Sequence, residues 1–346
     1  MFSQTLLFDD EFDPNLELAT LWDVPGTVAT PDTNVDLDWN KIAGSADHIV
    51  AIKADGTMWS RGTNTDGELG VGDNIDKTSF TQIGSDTDWE SVTCGVATTI
   101  AIKTDGTMWA TGVNASNQLG IVSTASLNTM TQVGTDTDWS KVNTQYIHTL
   151  AIKDDGTLHG TGDNNYGQLG SGTSGGVQAG FIEVATELSG SSKTAVSCGE
   201  IHSGITYGGK CYTVGGNLNG QLGLGHNSAV SNFAKSKYEG TDIYGVPTCG
   251  KSHTMIDSNS GTYACGLNSS GQLGTGDTTT INYFSEVSSF VANRALKLFA
   301  YGTRTQMIDL SGFLKVTSSN VFQQVGASPN WLEVSAPQYA LSSDLS

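Results

Sequence analysis

One pattern of apolar and polar positions recurs three times between residues 39 and 162. "HIVAIKADGTMWSRG", "TTIAIKTDGTMWATG" and "HTLAIKDDGTLHGTG" each set two short apolar-alternating runs on either side of an Asp-Gly pair. Alternation with a period of two predicts half-buried strands, and Asp-Gly between them predicts a hairpin whose two central residues both take positive φ. Trp39, Trp89 and Trp139 open a further strand ahead of each hairpin ("WNKIAG" in the first unit), and "FTQIG" supplies a fourth after a longer loop. Four short antiparallel strands in a fifty-residue period describe a propeller blade. A helical solenoid would need an amphipathic 3.6-residue pattern in each period, and none is present.

The loop between the third and fourth strands has its own signature. "NTDGELGVG" returns as "NNYGQLGSG", "NLNGQLGLG" and "NSSGQLGTG"; in the second unit, "NASNQLGIV", Asn117 replaces the glycine at 67. Asparagine tolerates the left-handed region best among non-glycine residues, so the exchange marks a positive-φ position. Leu69, Leu119, Leu169, Leu222 and Leu273 recur within the loop as plugs between blades. Later units are longer and more divergent, and the sixth drops the glycine loop.

Trp331 starts a seventh unit that stops where the Asp-Gly turn would follow, while residues 20–39 read as the second half of a unit, with Leu21-Trp22 in the place of Met58-Trp59. The expected fold is all-β, a seven-bladed propeller of four-stranded antiparallel blades, its ring closed by a blade shared between the two ends of the chain. The expected organisation is an arm at 1–17 and a propeller at 18–346, with units at 39–88, 89–138, 139–192, 193–242, 243–294 and 295–330 and a split unit at 331–346 plus 18–38.

The repeat H-x-x-A-I-K-x-D-G-T-x-W-x-x-G-x-N-x-x-G-Q-L-G-x-G resembles that of the regulator of chromosome condensation family, and the resemblance covers residues 18 to 346. Its near-verbatim units are more similar to bacterial and bacteriophage members than to eukaryotic ones. The resemblance implies a propeller fold and leaves the activity open, since members include an exchange factor for a small GTPase, an ultraviolet photoreceptor and a β-lactamase inhibitor. The photoreceptor's clustered Trp and Arg and the basic tail of the exchange factor have no counterpart here.

Charge narrows the partners. With 16 basic and 35 acidic residues the chain has a formal charge of −19, and only Arg61, Arg294 and Arg304 are arginines. A polyanion needs Lys and Arg clusters, so nucleic acid is not an expected ligand. No signal peptide and no apolar run long enough to span a membrane are visible, which places the chain in the cytoplasm of the producing cell and then in a virion.

No residue pattern points to catalysis, a cofactor or a metal. Cys94, Cys198 and Cys249 share one repeat position; with Cys211 and Cys265 they form an odd set without a CxxC pair, and read as packing. His48, His148, His202 and His253 share another position, and a ring disperses them, so they read as hydrogen-bonded strand residues; His159 and His226 fall outside the pattern. Asp55, Asp105 and Asp155, with the paired carboxylates of "SDTDW" and "TDTDW", read as turn residues. The glycine loops lack the Lys-Ser/Thr of a phosphate loop.

The expected function is a non-catalytic interaction or structural module, most plausibly a bacteriophage virion component; the alternative is a soluble partner-binding propeller, an enzyme inhibitor or small-GTPase regulator. The expected partners are other proteins of a larger assembly. Candidate contact residues are the aromatics of the divergent later loops, Phe233, Tyr238, Tyr283, Phe284 and Phe290, together with Phe2 and Phe8 of the arm.

Overall fold

The computed structural model of the chain describes residues 17–20, 39–188, 193–238, 241–242, 245–258, 261–287, 295–301, 304–309, 314–318, 321–324, 331–336 and 339–342. In blade one the strands Trp39–Gly44, His48–Lys53, Met58–Gly62 and Lys77–Gln82 pair antiparallel in chain order. Five further four-stranded sheets repeat that order. Their first strands are Trp89–Cys94, Trp139–Thr144, Lys193–Cys198, Val246–Cys249 and Ala295–Tyr301, and a three-stranded sheet starts at Trp331–Ala336. Each first strand packs against the first strands of the blades before and after it, and the last returns to Trp39–Gly44, so seven sheets surround one axis.

The hairpin turn differs from the expected one. Only its glycine takes positive φ (Gly56 +79, Gly106 +78, Gly156 +79); the aspartate does not. The Gly56 amide donates to Lys53 O and the Lys53 amide to Thr57 O, a three-residue loop that ends on a left-handed glycine. Asp55 holds it by accepting from the amide and hydroxyl of Thr57 at 2.9 and 2.6 Å, and the indole of Trp59 donates to the same hydroxyl. A Cβ on Gly56 would stand 2.0 Å from Thr87 O, so both space and φ require glycine there. Asn117 takes φ 54, as its exchange with glycine predicts.

Closure joins Glu17–Thr20 to Tyr339–Ser342, which pairs in turn with Trp331–Ala336. Leu18 stands opposite Leu341 where Met58 stands opposite Ile52, three residues ahead of the Leu21 that the sequence pattern suggested. Leu18 and Leu21 are three apart and so fall on opposite faces of a strand, and this blade lacks the glycine loop that marks register in blades one to five.

Adjacent blades are joined through the loop after the third strand. The buried Asn64, Asn114, Asn164, Asn217 and Asn268 each accept the amide of the loop leucine at 2.9–3.1 Å. The five leucines are fully buried; Leu169, for example, packs with Leu150 and Leu158 of its own blade and with Val196, Ile205 and Val214 of the next. The carbonyl just before each leucine accepts a hydroxyl from the following blade: Thr99 to Glu68, Thr149 to Gln118, Ser203 to Gln168, Thr254 to Gln221 and Thr305 to Gln272, at 2.6–2.9 Å. The repeated histidines complete this tie. Nε2 of His48, His148, His202 and His253 lies 3.1, 2.8, 2.9 and 3.0 Å from the hydroxyls of Thr99, Ser203, Thr254 and Thr305. A hydroxyl whose proton goes to a carbonyl can only accept from the ring, so each imidazole carries a proton on Nε2. Burial holds their pKa down, to about 4 for His48 and His253 and about 3 for His148 and His202.

The "DTDW" carboxylates belong to a second fastening, between linker and blade. Lys103 Nζ pairs with Asp86 and Asp88 at 2.7 and 3.0 Å and lies over the rings of Trp89 and Trp109; Lys153 repeats the arrangement with Asp136, Asp138 and Trp139.

Two candidate contact residues are corrected. Phe233 and Phe284 are 6% and 0% exposed. Their rings lie on Gly170 and Gly223 of the preceding blade, so closely that a Cβ on either glycine would come within 2.3 Å of the ring. They occupy the outer-strand position of Phe80, Met130 and Phe181, and they are inter-blade packing.

Three outcomes are expected. Unfolded histidines take up protons below about pH 6.5, which the folded ring refuses until about pH 4 or 3. The ties therefore stabilise fully above pH 6.5 and lose about 3 kcal/mol per histidine by pH 4; urea unfolding from pH 7.5 to 4 should show that slope, and His253→Gln should reduce it by about a quarter. In blade two the histidine is replaced by Thr98, although Gly95 leaves the same turn without a side chain, as Gly199 and Gly250 do under His202 and His253. Thr98→His should restore the missing donor to Thr149 and raise stability by about 1 kcal/mol; a lowered melting temperature would show that the turn does not accept the ring. Phe284→Ala should cost about 3–5 kcal/mol in the same denaturation assay, and an effect below 1 kcal/mol would contradict its packing role.

Candidate functional site

Blades one to five place their first turn and their glycine loop at the same end. The amide of Thr63 donates to Asp47 O, that of Val113 to Ala97 O, that of Asp163 to Ile147 O, that of Gly216 to Ile201 O and that of Leu267 to Ser252 O. These elements make one face of the ring, the loop face. The Asp-Gly turns and the interblade linkers lie at the other end of the strands and make the opposite face.

The two faces differ in chemistry. The turn face presents Asp55, Asp86, Asp105, Asp136, Asp154 and Asp155 at its surface, with Lys53, Lys103 and Lys153 drawn down against their tryptophans. Exposed apolar side chains gather instead on the loop face. Ile75, Val122, Tyr166 and Leu218 stand on the glycine loops of blades one to four, at 66%, 80%, 45% and 73% exposure, while Val96 and Ile147 stand on the inner turns of blades two and three. The elements that carry them touch: Val96 donates its amide to Gln145 O, Ile147 O accepts from Asp163, and Asp163 pairs with the exposed Val177. At the axis, Gln145 Nε2 reaches Ala300 O at 2.8 Å, tying blade three to blade six across the ring.

The loops keep their shape without help from these side chains. In "NNYG" the Asn164 and Gln168 side chains hold the backbone, Gln168 Oε1 accepting the amide of Tyr166 at 2.9 Å, so the ring of Tyr166 is left to solvent. Asn217 and Gln221 free Leu218 in the same way. The two residues between the loop asparagine and glycine are therefore variable positions on a rigid frame, a placement suited to recognition.

Of the candidate contact residues, Tyr283 is exposed on the outer strand Ile281–Glu286. Tyr238 lies on the short strand Lys237–Tyr238, which pairs with Thr241–Asp242 beside that outer strand. Phe290, Phe2 and Phe8 lie outside the described residues. The sequence reading looked for a contact surface in the divergent units and passed over Val122, Tyr166 and Leu218, which sit in the regular ones. The available signal was a bulky apolar residue where the other loops have a small or polar one: Tyr166 against Asp, Ser or Asn, Leu218 against Thr, Ala, Asn or Ser, and Val122 against Gly.

Other chemistry is sparse among the described residues. No three His, Cys, Asp or Glu side chains group so as to hold a metal ion. All five cysteines are buried free thiols, and burial pushes Cys94 and Cys249 up to about 12, far from the reactive thiolate. No described helix is long and apolar enough to cross a membrane.

Comparison with known proteins agrees with the geometry. The family model "Regulator of chromosome condensation (RCC1) repeat" matches residues 148–168. The chain is 36% identical over 146 residues to the human X-linked retinitis pigmentosa GTPase regulator, a stretch that makes up 41% of this chain and 14% of that protein. It is 37% identical over 119 residues to the bovine secretion-regulating guanine nucleotide exchange factor, covering 32% of this chain and 25% of the relative. The matches thus span a quarter or less of these curated relatives. Among solved structures, yeast Prp20p, a protein studied for its binding to Gsp1p and histones, superposes over 95% of this chain and 90% of its own with a TM-score of 0.77 at 14% identity. Human WBSCR16 gives a TM-score of 0.67 at 20% identity over 76% of this chain and 70% of its own. These relatives are eukaryotic, and they lend no support to a bacteriophage origin. Sheet order and ring closure make this chain a β-propeller, and within it residues 148–168 match the RCC1 repeat.

Proposed function

We propose that the chain is a non-catalytic docking propeller that binds a regulatory protein of the small-GTPase class through the loop face of blades one to four. The observation that carries this reading is the gathering of exposed Ile75, Val122, Tyr166 and Leu218 on one face, on loops whose backbone is already fixed. Exposed apolar groups on a rigid frame lose little entropy on binding, and aromatic and aliphatic anchors of this kind dominate protein interfaces. The names of two sequence relatives, a GTPase regulator and a guanine nucleotide exchange factor, support the choice of partner class. A ring whose histidines are neutral hydrogen-bond donors and whose thiols are sealed in the core supports a binding role over a catalytic one.

Small GTPases from the organism that makes the chain, in nucleotide-free and loaded forms, can be passed over the immobilised protein. Specific binding is expected, weakened by about 2 kcal/mol in Tyr166→Ala/Leu218→Ala and unchanged in Tyr283→Ala on the rim. Equal affinity of the double variant would remove the loop face from the contact; no binding by any GTPase would remove the partner class.

A further inference from the structure

The charge on the loop face is distributed unevenly. In a chain with 35 acidic residues, the glycine loops of blades two, three and four (residues 114–126, 164–176 and 217–229) contain no Asp, Glu, Lys or Arg. The flanking blades do carry charge: Asp47 and Asp76 are exposed on blade one, and Asp277 is exposed on the loop of blade five. Asp277 is held below the usual carboxylate range by the amide and hydroxyl of Thr279, so it stays ionised. The neighbouring Asp73 is already paired with Lys77 at 2.7 Å, and Glu200 lies 3.6 Å from Lys251; Asp47, Asp76 and the half-exposed Asp66 carry the charge of the blade-one border, and Asp277 that of blade five.

The neutral centre is built for contact. Its loops are rich in Asn, Ser and Gly with Tyr166, Leu218 and Val122 at the tips, a mixture of adaptable polar groups and exposed apolar anchors. Desolvating it strands no charge. A second copy of the chain is a poor occupant, because it would set Asp47, Asp76 and Asp277 against one another between two bodies of charge −19 each. A nucleic acid is repelled for the same reason. The charge pattern is complementary to an occupant that is apolar in the middle and basic at both ends.

We infer that the loop face of blades two to four takes a protein segment with an uncharged aromatic or branched-aliphatic centre between Lys/Arg flanks. The centre lies on Val122, Tyr166 and Leu218; one flank faces Asp47 and Asp76 and the other faces Asp277. The inference rests on the docking reading above and supplies the chemistry of the partner's contact segment, whatever protein carries it. Salt weakens the flanks and leaves the centre, so affinity falls with ionic strength to a plateau and does not vanish.

Three fluorescein-labelled synthetic peptides test this by anisotropy against the full chain: a Trp-Leu-Tyr-Val centre with Lys-Arg at both ends, the same centre with Glu at both ends, and the Lys-Arg ends around a Ser-Gly centre. The first should bind, the second on the order of tenfold more weakly, and the third should not bind above 0.15 M salt. Tyr166→Ser/Leu218→Ser should weaken the first peptide by on the order of tenfold. Asp47→Asn/Asp66→Asn/Asp76→Asn/Asp277→Asn should sharply reduce its salt dependence while the plateau remains. Ile182→Ser, at an exposed position paired with Gly160 and outside these loops, should change nothing. All of these side chains are exposed or half-exposed, so melting temperatures should stay near wild type and identify any variant that has lost its fold. The inference is overturned if the first peptide fails to bind, if the Ser-Gly peptide binds equally well, or if the Tyr166/Leu218 variant binds as wild type does. Peptide failure with a GTPase still held by the loop face would leave the docking reading standing, whereas peptide binding with no GTPase held would remove only the GTPase class.

Discussion

A hydroxyl group has one proton to give, and in five successive junctions of this ring it goes to the loop carbonyl of the preceding blade. Much else follows from that allocation. The carbonyl must be presented at a fixed height, which is why an asparagine ties down the loop amide one residue further on, and why glycines or Asn117 sit where the loop turns through positive φ. With its proton committed, the hydroxyl can accept from an imidazole, which puts a proton on Nε2 of four histidines, and burial keeps those rings neutral. The leucine that follows the carbonyl is then carried into the gap between blades, where burial supplies the larger share of the adhesion.

The same frame explains why the surface is free to vary. All that the fold requires of the glycine loop is met by Asn, Gln or Glu, Leu and Gly. The two residues between Asn and Gly make no contribution that another side chain could not make, and they become Thr-Asp, Ala-Ser, Asn-Tyr, Leu-Asn or Ser-Ser without cost to the ring. On the opposite face the carboxylates are tied to lysines lying over tryptophans, so that face is solvated and repels other anions. A disc with one acidic side and one locally neutral side has a preferred way of meeting a partner.

The fold was legible because periodicity, turn residues and spacing all agree, and because a repeat states each constraint several times. The buried histidines could be read as structural from their dispersal around a ring, although their shared hydrogen-bond pattern could not, since it depends on which hydroxyl the next blade offers. The turn type was misread because Asp-Gly permits both a two-residue and a three-residue loop, and only the partner of the Lys53 amide separates them. Phe233 and Phe284 looked like loop anchors in divergent units, yet alignment with Phe80 and Phe181 already marked them as packing. The neutral loop face escaped notice because lack of charge is a property of a surface, and that surface exists only once three loops separated by fifty residues stand side by side.

Closure of the ring has a consequence for how the protein is made. Glu17–Thr20 leaves the ribosome six blades ahead of its partner Tyr339–Ser342. At usual ribosomal speeds roughly tens of seconds separate the two. During that interval the blades already formed stand as an open arc, with an uncovered flank at either end and three nearly identical units that could pair with the wrong neighbour. Ribosome-bound chains should therefore be the form most dependent on chaperones, and a stop codon ahead of Tyr339 should leave a product whose Glu17–Thr20 has no partner strand.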